Sequence, residues 1–427
     1  MTTRVAHVLL FGCALVGWSE IAAVQPAADL QAIRSDAAYM AALDHLDRDY
    51  DRFVRELVEL TEIPAPPFGE SARAAVYLEM LREAGLEEVQ QDAIGNVMGL
   101  RRGAGAGPLL AVAAHLDTVF PPETDVTVQR AGTRLTAAGI GDDTAGLAAV
   151  LAVVRAMVAA GISTVADVLF IGNVGEEGPG DLRGVKYLFR EGPYRDRIAR
   201  FISVESGGQT TITNGALGSK RYRVAFRGPG GHSYGAFGLV NPVFAMAGAI
   251  TRFAALAVPE TPKTTLSVGI VRGGTSVNSI PFETSMDVDM RSESPRELDQ
   301  LVEAFLSAMD EAVDEENVTR SVAEGPIVLD MELIGDRPSG LTPARTPLVQ
   351  VALEAARAFG SEPSLRISST DANLPISLGI PAITIGRGGL GGRSHSLDEW
   401  VDVEREPTVR GLQVVLTTVL AAAALGR

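Results

Sequence analysis

Glu176 and Glu177 stand side by side at the end of the apolar run VLFIGNVG, with no Lys or Arg within three residues on either side. Adjacent like charges at the mouth of a buried strand are costly unless something positive lies beside them. Other acids and histidines stand at comparable places. His115 and Asp117 follow the run LLAVAA, Asp142 and Asp143 follow AAGIG, Glu205 closes RFISV, and His395 comes after AITIG in the turn-rich GGRSHSLDEW. The chain has five histidines. His7 is near the N-terminus and His45 lies on an amphipathic helical stretch, whereas His115, His232 and His395 each sit in a short segment at an element end.

The chemistry that uses such a set is hydrolysis at a two-metal site. Zinc takes imidazole nitrogen and carboxylate oxygen. Two ions need a carboxylate between them and together acidify a water. A ligand histidine needs its second ring nitrogen tied to an acceptor. The HLD spacing offers one, because residues two apart on a strand share a face. A base that is not a ligand must take the water's proton. The adjacent glutamates divide these tasks if Glu177 binds metal and Glu176 faces the water.

The elements that must position these residues alternate. Short, nearly continuous apolar runs (PLLAVAAHLDTV, ADVLFIGNVGEE, RFISVES) are separated by helical stretches such as TAGLAAVLAVVRAMVAAG. That pattern predicts an α/β fold with a mainly parallel sheet covered by helices on both faces. Such sheets collect ligands at the carboxyl ends of their strands. Residues 38–60 read as one helix, and ESARAAVYLEMLREAGL, residues 70–86, as a second ended by Gly85. From residue 218 the texture changes to KRYRVAFRG, a helix, TTLSVGIVRGG, ETSMDVDMRS, a long helix, and VTRSVAEGPIVLDMEL as a last strand. This predicts an inserted α+β unit of ferredoxin-like β-α-β-β-α-β order. The expected organisation is residues 1–28 as a signal peptide, 38–217 as the first part of a catalytic domain, 218–335 as a lid, and 336–427 as the second part.

The N-terminus has a positive residue, Arg4, an apolar core VLLFGCALVG, and small residues near Ala23–Ala28. This predicts export, with the signal removed and no membrane attachment afterwards. The sole cysteine, Cys13, lies in that segment, so a mature chain forms no disulfide. A net charge of −16 argues against nucleic acid or an anionic membrane as the partner. A dinucleotide-binding reading of GAGAG (103–107) and GIGDDTAG fails. The first precedes a strand, and the second puts two acids where phosphate would sit.

The ordered set HLDTVFP, GIGDDTAGLA, GNVGEEGPGDLRG, SVESGG, GPGGHS, GGTSVNSIP with DVDMRS, and GGRSHSLDE resembles the M20 family of zinc peptidases over essentially the whole chain after about residue 45. The resemblance implies the following roles. His115 and Glu205 bind one metal, Glu177 and His395 the other, and Asp142 bridges them. Asp117 orients His115, and Glu176 is general base and then acid. His232 reaches an active site, often the partner subunit's, to stabilise the oxyanion. Asn278 and Arg291 hold the substrate's carboxylate or carbonyl, a task that suits a guanidinium. It further implies two divalent ions, zinc first, with cobalt and manganese accepting the same ligands. It implies homodimerisation through the lid and a small peptide or N-acyl amino acid as substrate. The runner-up readings are a deacylase rather than a peptidase, and an inactive binding protein on the same fold. Thr144 departs from the Lys of many members. Glu205 is commoner among carboxypeptidases and acylases, whereas STDANLPISLGIPAITIG looks more like peptidase T. For Asp143 the expected work is capping the next helix or supporting the ligands. For Asp371 and Asn373 a place in the pocket and a loop hydrogen-bonding role stand equal.

Overall fold

The computed structural model describes residues 26–105, 107–208 and 210–424. The expected signal peptide, with Cys13, falls outside the described residues except for Pro26–Ala28, which open the helix Pro26–Arg34.

A nine-stranded sheet forms the larger part of the molecule. Its centre is four parallel strands in the order Ala166–Asn173, Gly107–His115, Ile198–Glu205 and Ala382–Gly386. These are the apolar runs of the sequence, and each is buried on both faces, as covered parallel strands must be. Because they run the same way, His115, Asn173, Glu205 and Gly386 all finish on one edge, and His115 is in register with Asn173 and Gly386 with Glu205. Antiparallel strands flank the centre: Val97–Arg101 on one side and Thr211–Ala216 on the other.

One face is covered by the helices Ala37–Arg48, Tyr50–Thr61, Ala145–Ala159 and Arg405–Ala424, whose side chains join those of the sheet in the largest apolar cluster. Ala145–Ala159 is apolar nearly all round because other elements enclose it. Arg405–Ala424 is long and apolar enough to span a membrane, but 78% of its apolar window is buried inside the protein, so it is a core helix. The opposite face packs against Arg183–Arg190 and Asn373–Ser377.

The inserted unit, expected as a lid, is a four-stranded antiparallel sheet in the order Thr264–Gly273, Glu283–Ser292, Gly218–Arg227, Val328–Arg337, with the helices Pro242–Ala254 and Pro295–Thr319 on one face. Along Glu283–Ser292 every second residue is buried; Met286, Val288 and Met290 face the helices, while Asp287, Asp289 and Arg291 face the other way. A separate small sheet joins Gln129–Ala131, Arg134–Thr136, Trp400–Asp402 and Leu390–Gly392.

Three boundaries differ from the sequence expectation. Residues 38–60 form two helices that meet at Asp49, whose carboxylate is held by Arg155 at 2.6–2.7 Å. The long lid helix runs to Thr319 and takes Val318 with it. The last lid strand therefore begins only at Val328.

Phe305 packs at 5.3 Å against both Tyr222, tilted by 42°, and Phe253, edge-on at 69°, in the core of the inserted unit. Replacing a fully buried phenylalanine by alanine costs about 3–5 kcal/mol. Urea denaturation of Phe305→Ala is expected to show a loss of that size; a loss below about 1 kcal/mol would contradict this packing.

Candidate active site

The strand Gly107–His115 carries His115 to its carboxyl end, fully buried. There its Nε2 lies 3.0 Å from Asp142 Oδ1 and its Nδ1 lies 2.9 Å from the backbone carbonyl of Asp117. Asp117 thus fixes the ring through its carbonyl; its carboxylate is 3.8 Å away. The strand stops at His115, so the same-face argument for Asp117 does not apply. The Asp117 carboxylate instead accepts the backbone N–H groups of Glu176 (3.0 Å) and Glu177 (2.8 Å). One aspartate therefore ties the first histidine to the glutamate pair.

His395 approaches from the loop after Ala382–Gly386. Its Nε2 is 2.9 Å from Glu177 Oε1 and 3.6 Å from Asp142 Oδ2. The two oxygens of Asp142 therefore face two different histidines. His115, Asp142 and Glu177 each place a ligand atom within 4.8 Å of the others. Glu205 lines the same cleft, and Ser203 donates a hydrogen bond to its Oε1 at 2.9 Å. With its Nδ1 facing a carbonyl acceptor, His115 turns its Nε2 toward the Asp142 carboxylate. Histidine nitrogens and carboxylate oxygens converging in this way fit divalent cations of the zinc type.

The turn that carries Asp142 is held by a residue the sequence reading did not single out. Glu399 is buried, and its carboxylate accepts the backbone N–H groups of Gly139, Gly141 and Asp142 at 3.2, 2.8 and 2.7 Å. Asp143 does not cap the following helix; its Oδ2 accepts the backbone N–H of His115 at 3.1 Å. Asp371 is buried and accepts from Asn173 at 2.7 Å. Asn373 bonds within its loop and to Leu217 and Pro338.

The cation beside Glu176 is Arg337, the last residue of the lid strand Val328–Arg337. It donates to Glu176 Oε1 at 2.9 Å, to the Glu176 carbonyl, and to Ser369 Oγ at 3.0 Å. No local signal marks it, since 161 residues separate the partners.

Asp142, Glu176, Glu177, Glu205, Arg337, Ser369 and His395 line one cleft of about 610 Å³ together with Gly178, Arg221, Arg291, Arg366 and Thr370, whereas His115 is buried behind Asp142 and does not line it. Arg291 lies in its wall, on the lid face opposite the helices. His232 and Asn278 do not line it. They lie together at the lid's edge, where Gly231–His232 pairs with Ser279–Ile280 and both side chains are exposed.

The sequence profile of peptidase family M20/M25/M40 matches residues 111–421. This chain belongs to that family. Family M20 enzymes are metal-dependent hydrolases, which agrees with the donor set described above. A succinyl-diaminopimelate desuccinylase from Leptothrix cholodnii is 30% identical over 233 residues, which is 50% of this chain and 60% of that enzyme's length. An aminopeptidase PepT from Bacillus cereus has the same fold with a TM-score of 0.70 at 23% identity, over 88% of this chain and 99% of its own. A tripeptidase from Staphylococcus aureus gives 0.72 at 21% identity, over 87% and 99%. A dinuclear metal-binding M20 peptidase from Bacillus subtilis gives 0.62 at 16%, over 88% and 99%.

Burial pushes Glu176 up to about 8 against the pull of Arg337, Asp371 up to about 6, and Glu399 up to about 7. Hydrogen bonds to Asp142 and Glu177 raise His395 to about 10. Each of these groups holds its proton more tightly folded than unfolded. Between the unfolded and folded pKa the native state binds more protons, so stability falls as pH rises. Protein stripped of metal by a chelator is therefore expected to melt progressively lower from pH 5 to pH 9. Added metal should flatten that slope, because cations replace the protons. Differential scanning calorimetry with and without chelator checks this; parallel slopes would contradict it.

Proposed function

We propose that the protein hydrolyses an amide bond in a small peptide or an N-acyl amino acid, using two divalent ions, zinc first. The observation that carries this reading is Asp142, whose two oxygens lie 3.0 and 3.6 Å from the Nε2 atoms of two histidines on opposite sides. His115 and Glu205 would hold one ion, Glu177 and His395 the other, with Asp142 between. When bound, such ions polarise an amide carbonyl and acidify water.

The chain's own residues supply the proton chemistry. Glu176 is buried at the cleft, raised to about 8 by desolvation, and steadied by Arg337. A carboxyl group with a pKa near neutrality takes a proton from water and returns it to the departing nitrogen efficiently. Asp117 holds both glutamates in place through their backbone N–H groups. Arg291 binds the substrate from the lid wall. A peptidase reading is supported by the shared fold with PepT and the tripeptidase. A deacylase reading is supported by the desuccinylase relative. Retention of Glu176 in a lined cleft speaks against a binding protein that has lost catalysis.

Glu176→Gln is expected to keep its metal, measured by atomic absorption, and to lose turnover by roughly 10²–10⁴-fold. Normal hydrolysis by this variant would remove Glu176 as the base.

We further infer an exported homodimer in which His232 and Asn278 serve the partner's cleft, since within one chain both lie exposed at the lid edge and outside their own cleft. His232 then stabilises the oxyanion across the interface. Co-expressed Glu176→Gln and His232→Ala chains should regain activity that each variant lacks alone, because the mixed dimer contains one complete site. A mixture no more active than its parents would exclude the shared site.

A further inference from the structure

Asp142, the residue between the two proposed ions, is met from two sides by one short loop. The strands Leu390–Gly392 and Trp400–Asp402 of the small sheet pair antiparallel, with Gly392 opposite Trp400, so residues 393–399 form the tip of a hairpin. His395 sits inside the tip and Glu399 closes it. His395 brings its Nε2 to 3.6 Å from Asp142 Oδ2, and Glu399 Oε1 accepts the Asp142 backbone N–H at 2.7 Å. One hairpin tip therefore reaches both the carboxylate and the backbone of this aspartate.

Glu399 is 1% exposed and does not line the cleft. Its side chain acts on the turn instead. Oε2 accepts the Gly139 N–H at 3.2 Å, and Oε1 accepts the Gly141 N–H at 2.8 Å besides that of Asp142. Gly139 and Gly141 are buried, so these donors need an acceptor within the protein. A Cβ on Gly141 would lie 2.8 Å from Glu399 Oε1, so glycine is what lets the turn come this close.

The small sheet fixes both partners. Trp400, next to Glu399, pairs with Thr136, and the Glu399 carbonyl accepts the Ala137 N–H at 3.0 Å. Glu399 is thereby anchored to the chain just before the turn it holds. At the far end of the turn, the Thr144 hydroxyl donates toward the carbonyls of Gly139 and Ile140 at 3.0 and 3.1 Å. The hairpin tip is itself held in shape. Arg393 and His395 both have a φ of 65°, a left-handed conformation that residues with a Cβ keep only where their surroundings impose it. Arg393 Nε is 2.6 Å from Asp398 Oδ2, and the Ser396 hydroxyl donates to Asp398 Oδ1 at 2.9 Å.

We propose that Glu399 is a positioning residue of the two-ion centre. It fixes the backbone at Asp142 so that the two carboxylate oxygens stay aimed at His115 and His395, and the small sheet is the frame that carries it. Under the hydrolase reading above, on which this role rests, Asp142 serves both ions. Loss of its place therefore weakens both sites together. A glutamate that only packed the small sheet would contribute stability and leave metal affinity alone.

Glu399→Gln in the full chain tests this. The amide keeps the size of the side chain but turns one acceptor into a donor that faces the N–H groups of the turn. Calorimetric titration of metal-stripped protein with zinc is expected to show both ions bound roughly 10–100-fold more weakly by the variant than by the wild type. The zinc-induced rise in Tm should shrink with it, since a bound ion stabilises the fold in step with its affinity. Glu399→Asp keeps two acceptor oxygens on a shorter stem. Its zinc affinity should lie between the other two, and it carries the test if Glu399→Gln does not fold. Zinc affinity equal to the wild type in a folded variant, even one that melts lower, would overturn the proposal. A wild type that takes up fewer than two zinc ions removes the two-ion reading itself, and the positioning role falls with it.

Discussion

The structure is organised around the cost of burying carboxylates together. Asp117, Asp143, Glu176, Glu177, Glu399 and Asp371 are all buried within the same region. Ionised side by side in a low dielectric, they would repel one another strongly and lose their hydration. The fold answers with donors. Backbone N–H groups converge on Asp117 and Glu399, and three buried arginines, Arg73, Arg337 and Arg387, stand among the acids. Arg73 is spent on the carbonyls of Leu116 and Ile63 at 2.6 Å, which anchors the segment between His115 and Asp117. What this protein framework does not neutralise is the cluster of His115, Asp142, Glu177 and His395, whose donor atoms would hold the cations proposed above.

The parallel centre of the sheet makes that concentration of acids possible. Four strands that end on one edge bring together residues as far apart in sequence as His115 and His395. The flanking antiparallel strands extend the sheet without contributing acids to that edge. The inserted unit adds a wall to the cleft, with apolar residues turned to its own helices and Arg221 and Arg291, joined by Asp289, on its other face.

Much of this was legible in the sequence, for a physical reason. Continuous apolar runs ending in His or acid are rare except where a covered strand reaches a site, so His115, Glu205 and the Glu176–Glu177 pair announced themselves. The lid strand Glu283–Ser292 was equally plain, because alternation is its own signature. What was not legible depends on contacts between distant segments. Arg337 reads as an ordinary end-of-strand arginine until it meets Glu176. Glu399 reads as a polar residue four positions after His395 until the Gly139–Asp142 turn folds onto it. The break at Asp49 was hidden because the helical period runs straight through it; only Arg155, 106 residues later, marks the place. Asp117 meets His115 through its carbonyl rather than its carboxylate, because the strand ends at His115, two residues before Asp117.

The lid's last two strand residues are joined to the glutamate loop: Arg337 to Glu176, and the Asp336 N–H to Asp181 Oδ1 at 2.9 Å. In the antiparallel register Arg337 pairs with Ser219, while Val328 pairs with Arg227, just before His232. Glu176 is thus attached at the axle of the inserted unit and His232 lies at its rim. Any swing of that unit about this junction leaves Glu176 nearly stationary and moves His232 through the widest arc.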